Sequence, residues 1–163
     1  MAIFINLPES AKIMISARKS KDSDYNEWLR MRKRLWPECP EDRHALEMDL
    51  ITSSRGIVLV AEFSQADLVG FAEISIRSDH VEGTTNSPVP YLEGWYVDPD
   101  FRGKGIGKAL LKAAEDFVIE KGFTELASDA EIGNDTSIEI HKRIGFTEVG
   151  RSVHFIKPLH KST

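Results

Sequence analysis

The run Arg102-Gly-Lys-Gly-Ile-Gly-Lys108 sets three glycines and three cations within seven residues. Glycines expose backbone N–H groups by removing side chains, and cations add charge, so the chemistry on offer is anion binding. Two phosphate-binding grammars fail. A Walker loop would need glycine at Arg102 and a hydroxyl at Ala109, and the dinucleotide fingerprint begun at Gly103 and Gly105 would need glycine at Lys108. What survives is a strand, then Arg-x-x-Gly-x-Gly, then a helix. The N–H groups of Gly103, Lys104, Gly105, Ile106 and Gly107 would form a cradle at the positive end of the helix dipole, with Arg102 and Lys108 adding charge. The matching anion is a pyrophosphate. Two acids belong to the same neighbourhood. Glu93 immediately precedes Gly94, a residue expected at a bulge or close backbone approach, and Asp129 closes the next strand. If those strands are parallel neighbours, both carboxylates line the cleft between them and can hold an ammonium and receive its proton.

The elements that must position these groups follow from periodicity. Residues 13–18 read as a first strand; Asp24 and Glu27 have the spacing of a helix-start capping box, and Tyr25, Trp28, Leu29, Leu35 and Trp36 share one helical face until Pro37. A second helix is expected from Pro40 to Ile51. Residues 57–63 and 68–76 form a hairpin through a polar turn at 64–67, residues 78–90 a loop, and residues 91–97 a strand. After the glycine loop, apolar residues recur from Ile106 to Val118 at helical spacing, Gly122 suits a left-handed cap, and residues 123–128 return as a strand parallel to 91–97. Asn134 opens a helix that Gly145 stops, and residues 146–157 are expected to supply the last strands. The class is α/β with a mixed sheet.

Composition bounds the partners. A chain of 163 residues, 41% hydrophobic, suits one domain, taken as 13–160 behind an N-terminal extension at 1–12. Twenty-six acidic against 21 basic residues give a net charge of −5. That balance disfavours nucleic acid and favours a cationic small molecule. One cysteine, Cys39, forbids an internal disulfide and fits a reducing cytoplasm. The five histidines lack ligand spacing, so no metal is expected, and no apolar run has the length of a membrane helix.

The segment Leu92-Glu-Gly-Trp-Tyr-Val-Asp-Pro-Asp-Phe-Arg-Gly-Lys-Gly-Ile-Gly-Lys-Ala-Leu-Leu111, with Asn134-Asp-Thr-Ser-Ile-Glu-Ile-His-Lys-Arg-Ile-Gly-Phe146, resembles the acetyl-CoA-binding core of the GCN5-related N-acetyltransferases (GNAT). Leu35-Trp-Pro37, Ile76-Arg-Ser-Asp79, Ser87-Pro-Val89, Leu92-Glu-Gly94 and Ala127-Ser-Asp129 resemble the aminoglycoside 6'-N-acetyltransferases within that superfamily. The resemblance runs from about Ile13 to Lys157. It implies a mostly antiparallel sheet with a splayed parallel pair, flanking helices, acetyl-CoA as cosubstrate, an aminoglycoside as acceptor, direct transfer in a ternary complex, and a homodimer built through the C-terminal strands. It implies that the backbone of Trp95, Tyr96 and Val97 pairs with the pantetheine arm, that the Val97 N–H stabilises the oxyanion, and that Asn134 and Ser137 bond the pantetheine and thiol region. Counting seven residues from Asn134 puts His141 where many members carry a tyrosine general acid; a packed helix histidine is the equal alternative. Trp36 is either a flat wall for a sugar ring or ordinary core, and His80 and Glu148 are further candidates for the acceptor pocket. Gly150 and Cys39 depart from the aminoglycoside pattern, which has Glu and His there. Transfer to a polyamine, an amino acid or a protein N-terminus, and a non-catalytic acyl-CoA sensor, stay open.

Overall fold

The computed structural model describes residues 2–4, 14–63 and 67–159. Along the chain run β1 (Ala2–Phe4), β2 (Met14–Lys19), α1 (Tyr25–Leu35), α2 (Glu41–Ser53), β3 (Ile57–Phe63), β4 (Leu68–Arg77), β5 (Val89–Val97), α3 (Ile106–Glu120), β6 (Ala127–Ser128) and α4 (Asp135–Arg143). The strands lie in sequence order within one sheet, antiparallel except for the parallel pair β5 and β6. The mixed α/β architecture expected from the sequence is therefore the one observed. Two compact units divide the chain, Met1–Asp129 and Ala130–Thr163, where a single domain over 13–160 is expected. Among the described residues no helix is long and apolar enough to cross a membrane.

In the first unit, alternation along the strands sends side chains to two helical layers. Val58 and Val60 of β3, Phe71 of β4 and Tyr96 of β5 join Trp28 and Met31 of α1 and Met48 and Ile51 of α2 in one core cluster. The opposite face receives α3, whose Ile106, Ala109, Leu110, Leu111, Ala114 and Val118 are buried. Gly70 is required on that face, because a Cβ there would lie 2.8 Å from the Tyr96 carbonyl and 3.1 Å from Leu110 Cδ1. Helix α2 keeps Leu46 and Leu50 exposed, which is why its periodicity reads loosely. The C-terminus of α3 closes as expected: Gly122 has φ +82°, and the Phe123 N–H bonds the Val118 carbonyl at 3.1 Å.

Four expectations are corrected. Ala2–Phe4, read as part of an extension, pairs antiparallel with β2 and adds an edge strand. The strand expected over 123–128 shrinks to Ala127–Ser128, since Phe123 spends its N–H on the helix cap. Asp24 does not cap α1: its carboxylate accepts from the Lys21 N–H at 2.7 Å and from Arg18, so it closes the turn before the helix. No strand forms over 146–157; the alternating apolar residues there have no ladder partner among the described residues. The turn at 64–66 and the start of the first strand at Ile13 lie outside the described residues.

Candidate active site

Strand β5 carries the geometry on which the site depends. Glu73 opposes Gly94 while Ile74 opposes Leu92, so Glu93 is an extra residue in β5, a β-bulge one position before the glycine that predicted it. The bulge reverses the alternation. Trp95 faces α3, donating its Nε1–H to the Gly107 carbonyl at 3.0 Å, and strict alternation would place Glu93 on that same face. Instead the Glu93 carboxylate turns to the α1 and α2 face, where Ser75 donates to it and Arg77 clasps it through Nε at 2.8 Å and Nη2 at 2.6 Å. Trp36 covers the bulge: a Cβ on Gly94 would fall 2.5 Å from its indole Cη2, so only glycine fits. Half-buried, with Phe71 at 6.3 Å and the Arg32 guanidinium 4.6 Å above its ring, Trp36 is both the edge of the core and a wall beside Glu93.

The parallel ladder is short. Tyr91 opposes Ala127 and Leu92 opposes Ser128, after which β6 ends and β5 continues alone on that side to Val97. The Asp98 N–H bonds the Val69 carbonyl of β4 at 2.8 Å. Because backbone groups alternate sides along a strand, the Val97 N–H points the other way, to the edge β6 has left. The Val97 carbonyl on that edge accepts from Arg102 Nε at 2.9 Å. Asp129 follows Ser128 directly and is exposed. Burial first, then the Asp129 charge, push the Tyr91 phenol up to about 12. The register thus brings Glu93 and Asp129 to the same end of the ladder.

Helix α3 starts at the close of the glycine loop. Gly103 and Gly105 take φ +73° and +85°, conformations that L side chains rarely adopt, and Gly105 is the N-cap. The Ala109 N–H bonds the Gly105 carbonyl, so the N–H groups of Ile106, Gly107 and Lys108 precede the first turn's acceptors and have no helix carbonyl behind them. Gly107 is pressed by the Trp95 ring, its would-be Cβ 3.1 Å from Cζ2. Lys104 folds back on its own loop, bonding the Asp100 carbonyl at 3.1 Å and lying over Phe63 and Phe101, while Arg102 and Lys108 are exposed. The loop is anchored from beneath by Asp98. Burial alone would raise that carboxyl, but hydrogen bonds from Arg30, Tyr96 and Arg34 outweigh it and hold the group below its ordinary range.

His80 is exposed beside Glu82 at 3.5 Å, and among the described residues no hydrogen bond links it to Glu93 or Asp129. In the second unit Asn134 caps α4, its side chain accepting from the Ser137 N–H at 3.1 Å. His141 meets the Ser137 carbonyl through Nδ1 at 2.8 Å and stacks edge-on against Phe146. Glu148, bonded by Arg151 and Lys142, is held down to about 2. Sequence reasoning missed Arg77 and Ser75 as partners of Glu93; the only trace was Arg77 within the quoted Ile76-Arg-Ser-Asp79. It also missed the buried Glu73, which accepts from Trp28 Nε1 at 2.6 Å and pairs with Arg32. Among the described residues no group of three His, Cys, Asp or Glu could hold a metal ion.

Residues 23–146 match the model of the acetyltransferase (GNAT) family. The aminoglycoside N(6')-acetyltransferase type 1 of Stenotrophomonas maltophilia is 38% identical over 145 residues, covering 89% of this chain and 94% of that one. The enzyme of the same name from Klebsiella aerogenes is 40% identical over 146 residues, with 87% and 95% covered. Among solved structures, AAC(6')-Iy in complex with the bisubstrate analog CoA-S-monomethyl-acetylneamine superposes with a TM-score of 0.82 at 34% identity, covering 89% of this chain and 99% of that one. The Acinetobacter baumannii 6'-N-acetyltransferase AAC(6')-Ih gives 0.81 at 34%, covering 90% and 99%.

Proposed function

The chain belongs to the acetyltransferase (GNAT) family, and from that premise we propose that it transfers the acetyl group of acetyl-CoA to the 6'-amine of aminoglycosides, directly within a ternary complex. Inactivation of the antibiotic, and so resistance, is the outcome. One observation carries the reading: a β5 edge without a strand beyond Leu92 runs into a helix N-terminus, with two carboxylates at the end where the ladder stops.

Acetyl-CoA supplies an activated thioester. The α3 N-terminus, with the left-handed Gly103 and Gly105, holds its pyrophosphate, to which Arg102 and Lys108 lend charge. The outer edge of Trp95, Tyr96 and Val97 aligns the pantetheine arm, and the Val97 N–H is aimed where a carbonyl oxygen gains negative charge during attack. Asp129 holds the acceptor ammonium and takes its proton; Trp36 lies against a sugar ring. The departing thiolate needs little help, because a thiol of pKa ~8.5 leaves readily. These groups all come from the unit Met1–Asp129.

The working form is a cytoplasmic homodimer. Val149, Val153, Phe155, Ile156 and Leu159 are largely exposed along a C-terminal run without a ladder, and a second copy is the surface that covers them; sedimentation reads this directly.

Thiol release with kanamycin, tobramycin, spermidine and a peptide as acceptors tests the function. Turnover of the aminoglycosides is expected; release with the peptide alone overturns the reading, and acetyl-CoA binding without any release makes the protein a sensor. Asp129→Asn lowers kcat/KM for the aminoglycoside by about 100-fold and leaves acetyl-CoA affinity unchanged.

A further inference from the structure

The loop from Ser78 to Pro88 joins β4 to β5 beside the acids at the ladder end. It leaves β4 at Arg77, the partner of Glu93, and lays Val81 on Val89, Tyr91 and Ala127, one residue pair before the ladder stops. Of the described residues from Ser78 to Pro88 only Val81 is buried, so apolar packing holds the loop at one point. A second hold comes from Glu125, between α3 and β6. Its carboxylate accepts from two consecutive backbone N–H groups, Thr85 and Asn86, each at 3.1 Å, from the Thr85 hydroxyl at 2.8 Å and from Asn86 Nδ2 at 3.2 Å. Successive N–H groups turned to one anion form a nest, and the charge strengthens each bond. A groove of about 360 Å³ opens at the same junction, lined by Ser87, Pro88, Phe123 and Thr124, so the carboxylate bridges a gap that side chains do not fill.

We propose that Glu125 is a positioning residue for the acceptor: it pins the 78–88 loop to the segment entering β6, so that the loop stands as a preformed wall beside Glu93 and Asp129. This deepens the aminoglycoside reading and rests on it. An aminoglycoside is a polycation of several rings, and the exposed Asp79 and Glu82 give the loop negative charge to meet it. A wall fixed in advance leaves the acceptor little to arrange. Released from Glu125, the loop has to be ordered when the acceptor binds, and that entropy is subtracted from acceptor affinity. Glu125 lies away from the α3 N-terminus and the open β5 edge, so it acts on acceptor KM through the loop and not on the reacting atoms.

The test pairs steady-state kinetics on kanamycin with amide hydrogen exchange in Glu125→Ala. KM for kanamycin rises about tenfold, kcat stays within about twofold, and acetyl-CoA affinity by calorimetry is unchanged. Peptides spanning residues 81–88 exchange faster than in the wild type, and saturating kanamycin returns them to the wild-type rate, because binding now orders the loop. Glu125→Gln, which keeps one accepting oxygen for the nest, gives an intermediate KM. Asn86→Ala raises KM about twofold by itself and adds nothing in the Glu125→Ala background, since both act through one contact. A merely structural role predicts faster exchange with KM unmoved, or a loss confined to kcat, and either result overturns the proposal. Should Glu125→Ala not fold, Asn86→Ala decides by the same split between exchange and KM. Absence of kanamycin turnover in the wild type would instead break the functional reading, whatever Glu125 does to the loop.

Discussion

Two arginine–carboxylate pairs sit on the same face of the sheet and do opposite things. Arg32 and Glu73 are sealed beneath α1 and α2, each about 1% exposed in its side chain, with Trp28 donating to the acid and Glu47 and His44 completing the arginine. Arg77 and Glu93, two pleats further along β4, are about a third and a quarter exposed. In the first pair the attraction works against full desolvation, and neither partner has water to fall back on. In the second, water can replace either partner, so the pair is adjustable and an incoming cation can compete with it. Burial, not chemistry, separates a girder from a device.

The contrast breaks most visibly at Glu73. Glu73→Gln leaves Arg32 buried without its main counter-charge and costs on the order of 3–5 kcal/mol in denaturant unfolding, while Glu93→Gln costs no more than about 1 kcal/mol. Similar losses at both sites would erase the distinction. Gly94→Ala comes next. Its Cβ would overlap Trp36 on one side and meet Phe71 Cε2 at 3.3 Å, so it forces the indole off the bulge, costs about 1–3 kcal/mol and raises acceptor KM while sparing acetyl-CoA affinity.

Acid titration gives the smallest effect and sharpens the comparison by sign. Asp98, whose folded carboxyl is depressed, contributes stability that is present above its unfolded value of about 3.9 and is lost as pH falls through its folded value. Glu73 is the reverse: burial raises its carboxyl despite Arg32, so its folded form binds a proton more readily than the unfolded chain, and stability declines as pH rises from about 4.3 toward the folded value. Urea midpoints between about pH 3 and 5 should therefore show an acid loss that Asp98→Asn flattens and Glu73→Gln steepens.

The local chemistry was legible because it is written in short range. Left-handed glycines, the α3 stripe, the Asn134 cap and the bulge beside Gly94 each depend on a few neighbouring residues, and all appear in the structure. The partners of Glu93 were not legible. Arg77 lies 16 residues away, and whether it reaches Glu93 depends on the register of β4 with β5 and on which face the bulge turns the acid to. The strands expected over 146–157 failed for a related reason: alternation proposes a strand, but only a neighbouring edge makes one.

By itself the sequence determined the run of elements from β2 to α4, the glycine loop that opens α3, and the acids beside the β5 glycine and at the close of β6, because turn conformations and periodicity are properties of consecutive residues. Only the tertiary structure decided that one of those acids pairs with Arg77, and that β6 stops where β5 goes on. Long-range pairing sets which charges meet, and burial sets what each meeting is worth.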